Sequence, residues 1–192
     1  MTEKIKTILF LGTSLIQKNS ILSAKKSGFK IIGVDQNKNS ESKKYCDYFI
    51  NTSCNNTDHI FNKVKKEKNL SIIDIWANND ILLKSKNKLE KKLKIKSDLN
   101  ISKISNLLNK NKFKKIFKKY LIDNTKKQYP ILAKPVLGHG SLGIKILKNK
   151  NDFLKIKNKK NYIFEKYIDN LKEYGVNFFY DKKKIYILNS VY

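Results

Sequence analysis

The chain has 192 residues, 40% of them hydrophobic and 11% aromatic, and sets 42 basic against 16 acidic residues for a formal charge of +26 at pH 7. That length holds one large domain or two small ones around a real core, and no uncharged apolar run is long enough to cross a bilayer. Met1-Thr2-Glu3-Lys4-Ile5-Lys6 leads straight into a strand pattern without a signal-peptide core, so a cytoplasmic location with no membrane partner is expected.

A charge of this size ordinarily points to nucleic acid. Here every basic residue is lysine, spread along the whole chain among Asn and Ile, and arginine, the side chain best suited to bidentate phosphate and guanine contacts, is absent. No specific nucleic-acid partner is expected. Cys46 and Cys54 have the spacing of neither a zinc knuckle nor a redox pair and read as reduced thiols, while His59 and His139 lack partners in a metal-ligand pattern.

In chain order, Ile5 to Leu11 alternates as a strand and ends at Gly12. Gln17 to Ser27 carries Ile21, Leu22 and Ala24 at helical spacing up to Gly28, and Lys30 to Asp35 is a second strand. This β-α-β start predicts a parallel sheet covered by helices. Leu11-Gly12-Thr13-Ser14 supplies one glycine where a dinucleotide fingerprint needs three, and Asp35 stands where its acid would. Asp47 to Asn51 reads as a short third strand, Asp58 to Lys68 as a helix with Ile60, Phe61 and Val64 inward, and Ser71 to Ala77 as a buried fourth strand. Asn78-Asn79-Asp80 then caps a helix through Leu93, with Trp76 packing where strand meets turn.

A lysine-rich connection from Leu93 to Lys103 leads into two helical stripes. One is formed by Ile101, Ile104, Leu107 and Leu108, the other by Phe113, Ile116, Phe117, Tyr120 and Leu121, and Lys110 lies between them. Next comes the most informative run, Tyr129 to Leu147. Two strand-like pieces flank a loop in which Gly138, Gly140 and Gly143 let the backbone turn tightly and lie against a ligand. Peptide N–H groups can converge there on anionic oxygens, Ser141 adds a hydroxyl and Lys134 a positive charge, and His139 is a spacer within reach of a phosphate. Gly-His-Gly-Ser-Leu-Gly also spells the dinucleotide fingerprint, but alternating Ile144, Ile146 and Leu147 follow where that motif needs a helix. The pattern is strand, loop, strand: a phosphate lid, or a plain glycine-rich hairpin. Asn151 to Lys157 reads as a short helix, Asn161 to Ile168 as a strand, and Tyr174 to Tyr180 with Lys184 to Tyr192 as an antiparallel pair.

Together these segments resemble the front two-thirds of an ATP-grasp ligase, the superfamily of biotin carboxylase, carbamoyl phosphate synthetase and D-alanine-D-alanine ligase. The resemblance rests on Leu11-Gly12 and Gly33-Val34-Asp35, Asn109-Lys110 with Phe113-Lys114-Lys115-Ile116, Tyr129 to Pro135 with its glycine loop, Phe164-Glu165-Lys166-Tyr167-Ile168, and Glu173 in Glu173-Tyr174-Gly175-Val176-Asn177. It implies an α/β fold: an N-terminal parallel-sheet pre-ATP-grasp domain over 1–93, then an incomplete ATP-grasp α+β domain with a helical part over 94–128 and an antiparallel ATP-binding part over 129–192. It also implies that Lys110 and Lys134 neutralise the phosphates of ATP and that Gly138, His139, Gly140, Ser141 and Gly143 close over them. Backbone groups of Lys166 and Ile168 beside Glu165 would read the adenine edge, and Glu173 would meet the ribose.

Relatives of this kind phosphorylate a small carboxylate to an acyl phosphate that an amine or similar nucleophile attacks, with Mg²⁺ shielding the charge. The family's magnesium carboxylates lie in a later Glu-x-Asn stretch, whereas no acid follows Asp181 here. The expectation is therefore a chain that does not complete the metal site, and no residue is assigned a catalytic or metal-ligating role. A fragment, a binding-only relative and complementation by a second chain are the readings of that departure. The functional alternatives are a non-catalytic nucleotide-binding module and an NAD-binding oxidoreductase.

Overall fold

The computed structural model describes residues 4–97, 100–120, 128–138, 140–169, 172, 174–181 and 183–191. The chain falls into two compact units, Met1–Leu108 and Asn109–Tyr192.

In the first unit, strands β1 (Ile5–Leu11), β2 (Lys30–Asp35), β3 (Tyr48–Asn51) and β4 (Leu70–Ala77) form one sheet in the order β3-β2-β1-β4, with every pairing parallel. Parallel neighbours require crossovers. Helix α1 (Lys18–Lys26) joins β1 to β2 and helix α2 (Thr57–Lys66) joins β3 to β4. The central strands are apolar on both sides because both sides are covered. Leu9, Leu11, Ile32, Val34 and Ile75 pack with Ile60 and Val64 of α2 and Leu89 of α3 (Leu83–Leu93), whereas Phe10 and Ile31 pack with Ile21 of α1.

The fourth strand departs from the buried strand expected. β4 has β1 as its neighbour on one side only, its register slips between Thr7 and Ile8, and Ile73 and Trp76 keep 39% and 41% of their surface. An edge strand shares its side chains with one neighbour, so the same apolar letters are only half covered. Trp76 still packs, its ring 6.1 Å from that of Phe10.

The helix ends follow local chemistry. Asn56 accepts from the His59 N–H at the start of α2, with Asp58 in the first turn and Lys63, Lys65 and Lys66 in the last. Asn79 caps a 3-10 turn, Asp80–Leu82, ahead of α3. Helix α4 (Ile101–Leu108) ends the unit with no buried residue.

Asp47 ties β2 to the start of β3. Its carboxylate accepts from the Ile31 N–H at 2.9 Å and from Lys25 and Lys30 at 3.2 and 3.1 Å. Burial works to raise its pKa, but the Ile31 hydrogen bond and the two lysines outweigh it and hold the carboxyl below its ordinary value. A carboxyl so depressed stabilises the fold above the unfolded-state pKa and loses that contribution as pH falls through the folded one. Asp47→Asn should therefore cost about 1 to 2 kcal/mol at neutral pH, mostly from the backbone contact because the lysines are largely exposed. Urea denaturation at pH 7 and pH 3 checks this, with the variant and wild type converging at the lower pH.

The second unit opens with helix α5 (Lys110–Ile116), capped by Asn109, whose side chain accepts from the Lys112 N–H. Strands β5 (Ile131–Pro135), β6 (Lys145–Leu147) and β7 (Tyr162–Lys166) form an antiparallel sheet in the order β6-β5-β7. Helix α6 (Lys150–Leu154) is shorter than the 151–157 expected, and Ile156 leaves it to join the core with Ile131, Ala133 and Leu147. Strands β8 (Gly175–Tyr180) and β9 (Ile185–Val191) make a separate hairpin. No described helix is long and apolar enough to cross a membrane.

Candidate functional site

Strand alternation sorts β5 into two faces. Ile131 and Ala133 point into the core with Tyr162 and Phe164 of β7 and with Phe153 of α6. Leu132 and Lys134 point the other way, and the register, Leu132 opposite Glu165 and Lys134 opposite Ile163, sets Glu165 beside Lys134 on that face. The contact is direct: Lys134 Nζ lies 2.8 Å from Glu165 Oε2. The other carboxylate oxygen, Oε1, is 2.5 Å from Lys114 Nζ of α5. Burial pushes the Glu165 carboxyl up, yet the hydrogen bonds and charges of Lys114 and Lys134 prevail and hold it below the ordinary value.

Lys110 precedes Lys114 by one helical turn and so shares its face of α5. Its Nζ donates to the Gly138 carbonyl at 3.0 Å, and its N–H donates to the Val136 carbonyl at 3.1 Å. The helix thereby meets the glycine loop at its first residue. The loop turns as the spacing requires: Gly140 has φ 56° and Gly143 φ 76°, and a Cβ on Gly143 would come within 3.0 Å of Pro135 Cγ. Ser141 also lies in the left-handed region at φ 58°.

Lys110, Lys134, Gly138, Gly140 and Ser141 line one cavity of about 220 Å³, closed by Pro135, Leu142 and Ile144. Two lysines, a serine and a turn-rich backbone line the same space, residues whose donors suit phosphate oxygens. A larger hollow of about 630 Å³ lies by Asn109, Lys157, Asn158 and Asn161, and shares only Pro135 with it. The smaller cavity is the one with the chemistry.

β7 is an edge strand. The Val136 N–H donates to Asn161 and the Tyr167 N–H to Pro130, so odd-numbered residues of β7 turn their backbone toward β5 and even-numbered ones, Lys166 among them, turn it to the open edge. Ile168 follows this last ladder bond, its side chain 43% exposed. The Glu165 side chain is turned to the two lysines. His139 and Glu173 lie outside the described residues.

Sequence reasoning passed over Lys114. The signal was its four-residue spacing from Lys110, hidden in a run where lysine occurs at almost every second position.

The first unit offers little to a dinucleotide. Both oxygens of Asp35 are engaged, by the Thr13 N–H and the Asn37 N–H, each at 2.9 Å. The Gln17 side chain fills the space over Gly12, where a Cβ would meet its Nε2 at 2.8 Å. Cys46 and Cys54 are free thiols, pushed up to about 11 chiefly by burial. Among the described residues no group of three or more His, Cys, Asp and Glu side chains could hold a metal ion.

No protein-family model matches the chain, and no curated protein does. Solved structures match along nearly all of it. An N5-carboxyaminoimidazole ribonucleotide synthetase solved with ADP is 19% identical over 99% of this chain and 54% of its own, with a TM-score of 0.75. The same enzyme from Thermotoga maritima is 21% identical over 97% and 53%, with a TM-score of 0.71. The biotin carboxylase domain of 2-oxoglutarate carboxylase from Hydrogenobacter thermophilus, solved with MgADP and bicarbonate, is 17% identical over 88% and 46%, with a TM-score of 0.60. The chain thus spans about half the length of the structures it matches, less than the two-thirds expected from sequence. Its fold is similar to that of these ATP-grasp enzymes, a parallel-sheet α/β unit followed by a unit with antiparallel sheets.

Proposed function

We propose that this chain binds ATP in its second unit, as the nucleotide-holding part of a ligase that activates a small carboxylate as an acyl phosphate for attack by an amine or similar nucleophile. The observation that carries the reading is the convergence of Lys110, Lys134, Gly138, Gly140 and Ser141 on one cavity. Lys134, rising from a strand, and Lys110, at the first turn of a helix, would each place an ammonium against phosphate oxygens and offset their charge. The Gly140 to Gly143 turn would bring peptide N–H groups to the same oxygens, with His139 inside the loop. Lys166 and Ile168, next to Glu165, would offer backbone groups to the adenine edge, and Glu173 the ribose contact.

In this reading 1–93 is the pre-ATP-grasp part, 94–128 the helical part and 129–192 the nucleotide-binding part. Bound ATP would supply the phosphoryl group that makes the carboxylate reactive. The matched structures solved with ADP and MgADP support nucleotide binding of this kind. No step is assigned to Mg²⁺.

Calorimetric titration tests the reading. ADP and ATP should bind while NAD gives no heat; binding of NAD with none of ADP would replace this reading by the dinucleotide one.

A further inference from the structure

Neither Lys114 nor Glu165 lines the cavity, yet they form the network that reaches it. Glu165 is well covered, with 14% of its side chain exposed, and gives one carboxylate oxygen to each of two lysines from different elements, Lys114 of α5 and Lys134 of β5. Helix α5 needs such a tie because it buries no residue of its own; Phe113 and Ile116 keep 38% and 55% of their surface. Among its attachments to the sheet side are the Lys110 contacts with Val136 and Gly138 and the Lys114 to Glu165 ion pair. The ion pair and Lys110 sit one turn apart, so fixing the first fixes the phase of the second.

We infer that Glu165 is a positioning residue for the anion site: anchored by Lys114, it aims the Lys134 ammonium and holds α5 so that Lys110 faces the same cavity. The inference rests on the nucleotide reading above and deepens it. An ammonium has three donors, and Lys134 uses one on Glu165, leaving the others for a ligand. Without the carboxylate the two lysines repel one another, and the long side chains regain rotamer freedom that binding must then remove.

This account predicts a sign opposite to simple electrostatics. Removing a negative charge beside an anion site should by Coulomb attraction alone tighten binding. Glu165→Gln should instead weaken binding of both ADP and inorganic tripolyphosphate by about ten-fold, because the donors lose their aim. Lys114→Ala, at a half-exposed position, should weaken both ligands several-fold with an unchanged melting curve, whereas Lys115→Ala should change nothing. In the double variant the loss should be smaller than the product of the two single losses, since Lys114 acts through Glu165.

Calorimetry with both ligands, alongside thermal melts by circular dichroism, reads these outcomes. Equal or tighter binding by folded Glu165→Gln, or wild-type binding by Lys114→Ala, overturns the inference while leaving the nucleotide reading in place. If Glu165→Gln does not fold, the Lys114→Ala result decides alone. A wild-type chain that binds neither ADP nor tripolyphosphate overturns both.

Discussion

Lys134→Ala is expected to lower affinity for ADP by about 10- to 100-fold, the range set by one or two charge-assisted hydrogen bonds. The side chain belongs to the face of β5 turned away from the core of Ile131, Ala133, Leu147 and Ile156, so its loss leaves that core untouched and the melting curve should move little. Lys145→Ala, on the neighbouring strand and outside the cavity, carries the same change of charge and should bind like wild type. Calorimetry on the two variants separates a specific contact from the chain's general attraction for anions, which its +26 charge guarantees at low salt. Equal losses in both would remove Lys134 from the site.

The pH dependence of the same titration follows from Glu165. Its carboxyl is held below the ordinary glutamate value, so its bond to the lysines is fully present above the unfolded-state pKa and is lost as pH falls through the lowered one. Between about pH 6 and 8 this group contributes no change in affinity. Only in acid, below the ordinary carboxylate range, should the lysine pair loosen and ADP binding weaken for this reason.

The largest effect on stability is expected in the first unit. Leu9 is fully buried in the central strand and packs with Leu11, Ile32, Val34 and Ile75 and with helical Ile60, Val64 and Leu89. Leu9→Ala should cost about 3 to 5 kcal/mol, the transfer free energy of the lost carbons plus that of the cavity they leave. A small domain is stable by about 5 to 15 kcal/mol, so such a loss is a large part of the whole. Trp76 is the chain's one tryptophan and stacks on Phe10 next to this strand, so its fluorescence reports the first unit during urea denaturation. A shift below about 1 kcal/mol would show that Leu9 is not in a packed interior. Lys134→Ala, by contrast, should leave the Trp76 transition unchanged.

The parallel sheet was legible because its signals are local. Ile5 to Leu11 and Lys30 to Asp35 are near-continuous apolar runs of strand length with a helical stripe between them, and this pattern has few other solutions. Edge and centre are not local properties, which is why β4 reads like β1 in sequence but is half open in the fold. The stripes in α4 and α5 illustrate the same limit. Apolar spacing marks a helix face, but Leu107, Phe113 and Ile116 remain substantially exposed.

At the site, the glycine loop and Lys134 could be read directly, since φ-permissive residues and a strand-end lysine are visible as letters. The Glu165 contacts could not. They depend on which residue of β7 stands opposite which residue of β5, a register that no spacing within one strand contains. Lys114 was hidden for the opposite reason, because a chain whose basic residues are all lysine gives no single lysine any contrast.

The central claim is that Lys110 and Lys134 face one anionic ligand. Graded acetylation of the folded chain with and without saturating ADP, followed by mass spectrometry of each lysine, tests it against an internal background of 42 lysines. Protection concentrated on Lys110 and Lys134, with lysines such as Lys26, Lys66 and Lys145 reacting equally in both samples, is the result expected. Protection spread evenly over the chain, or absent from either of those two residues while ADP is bound, would contradict it.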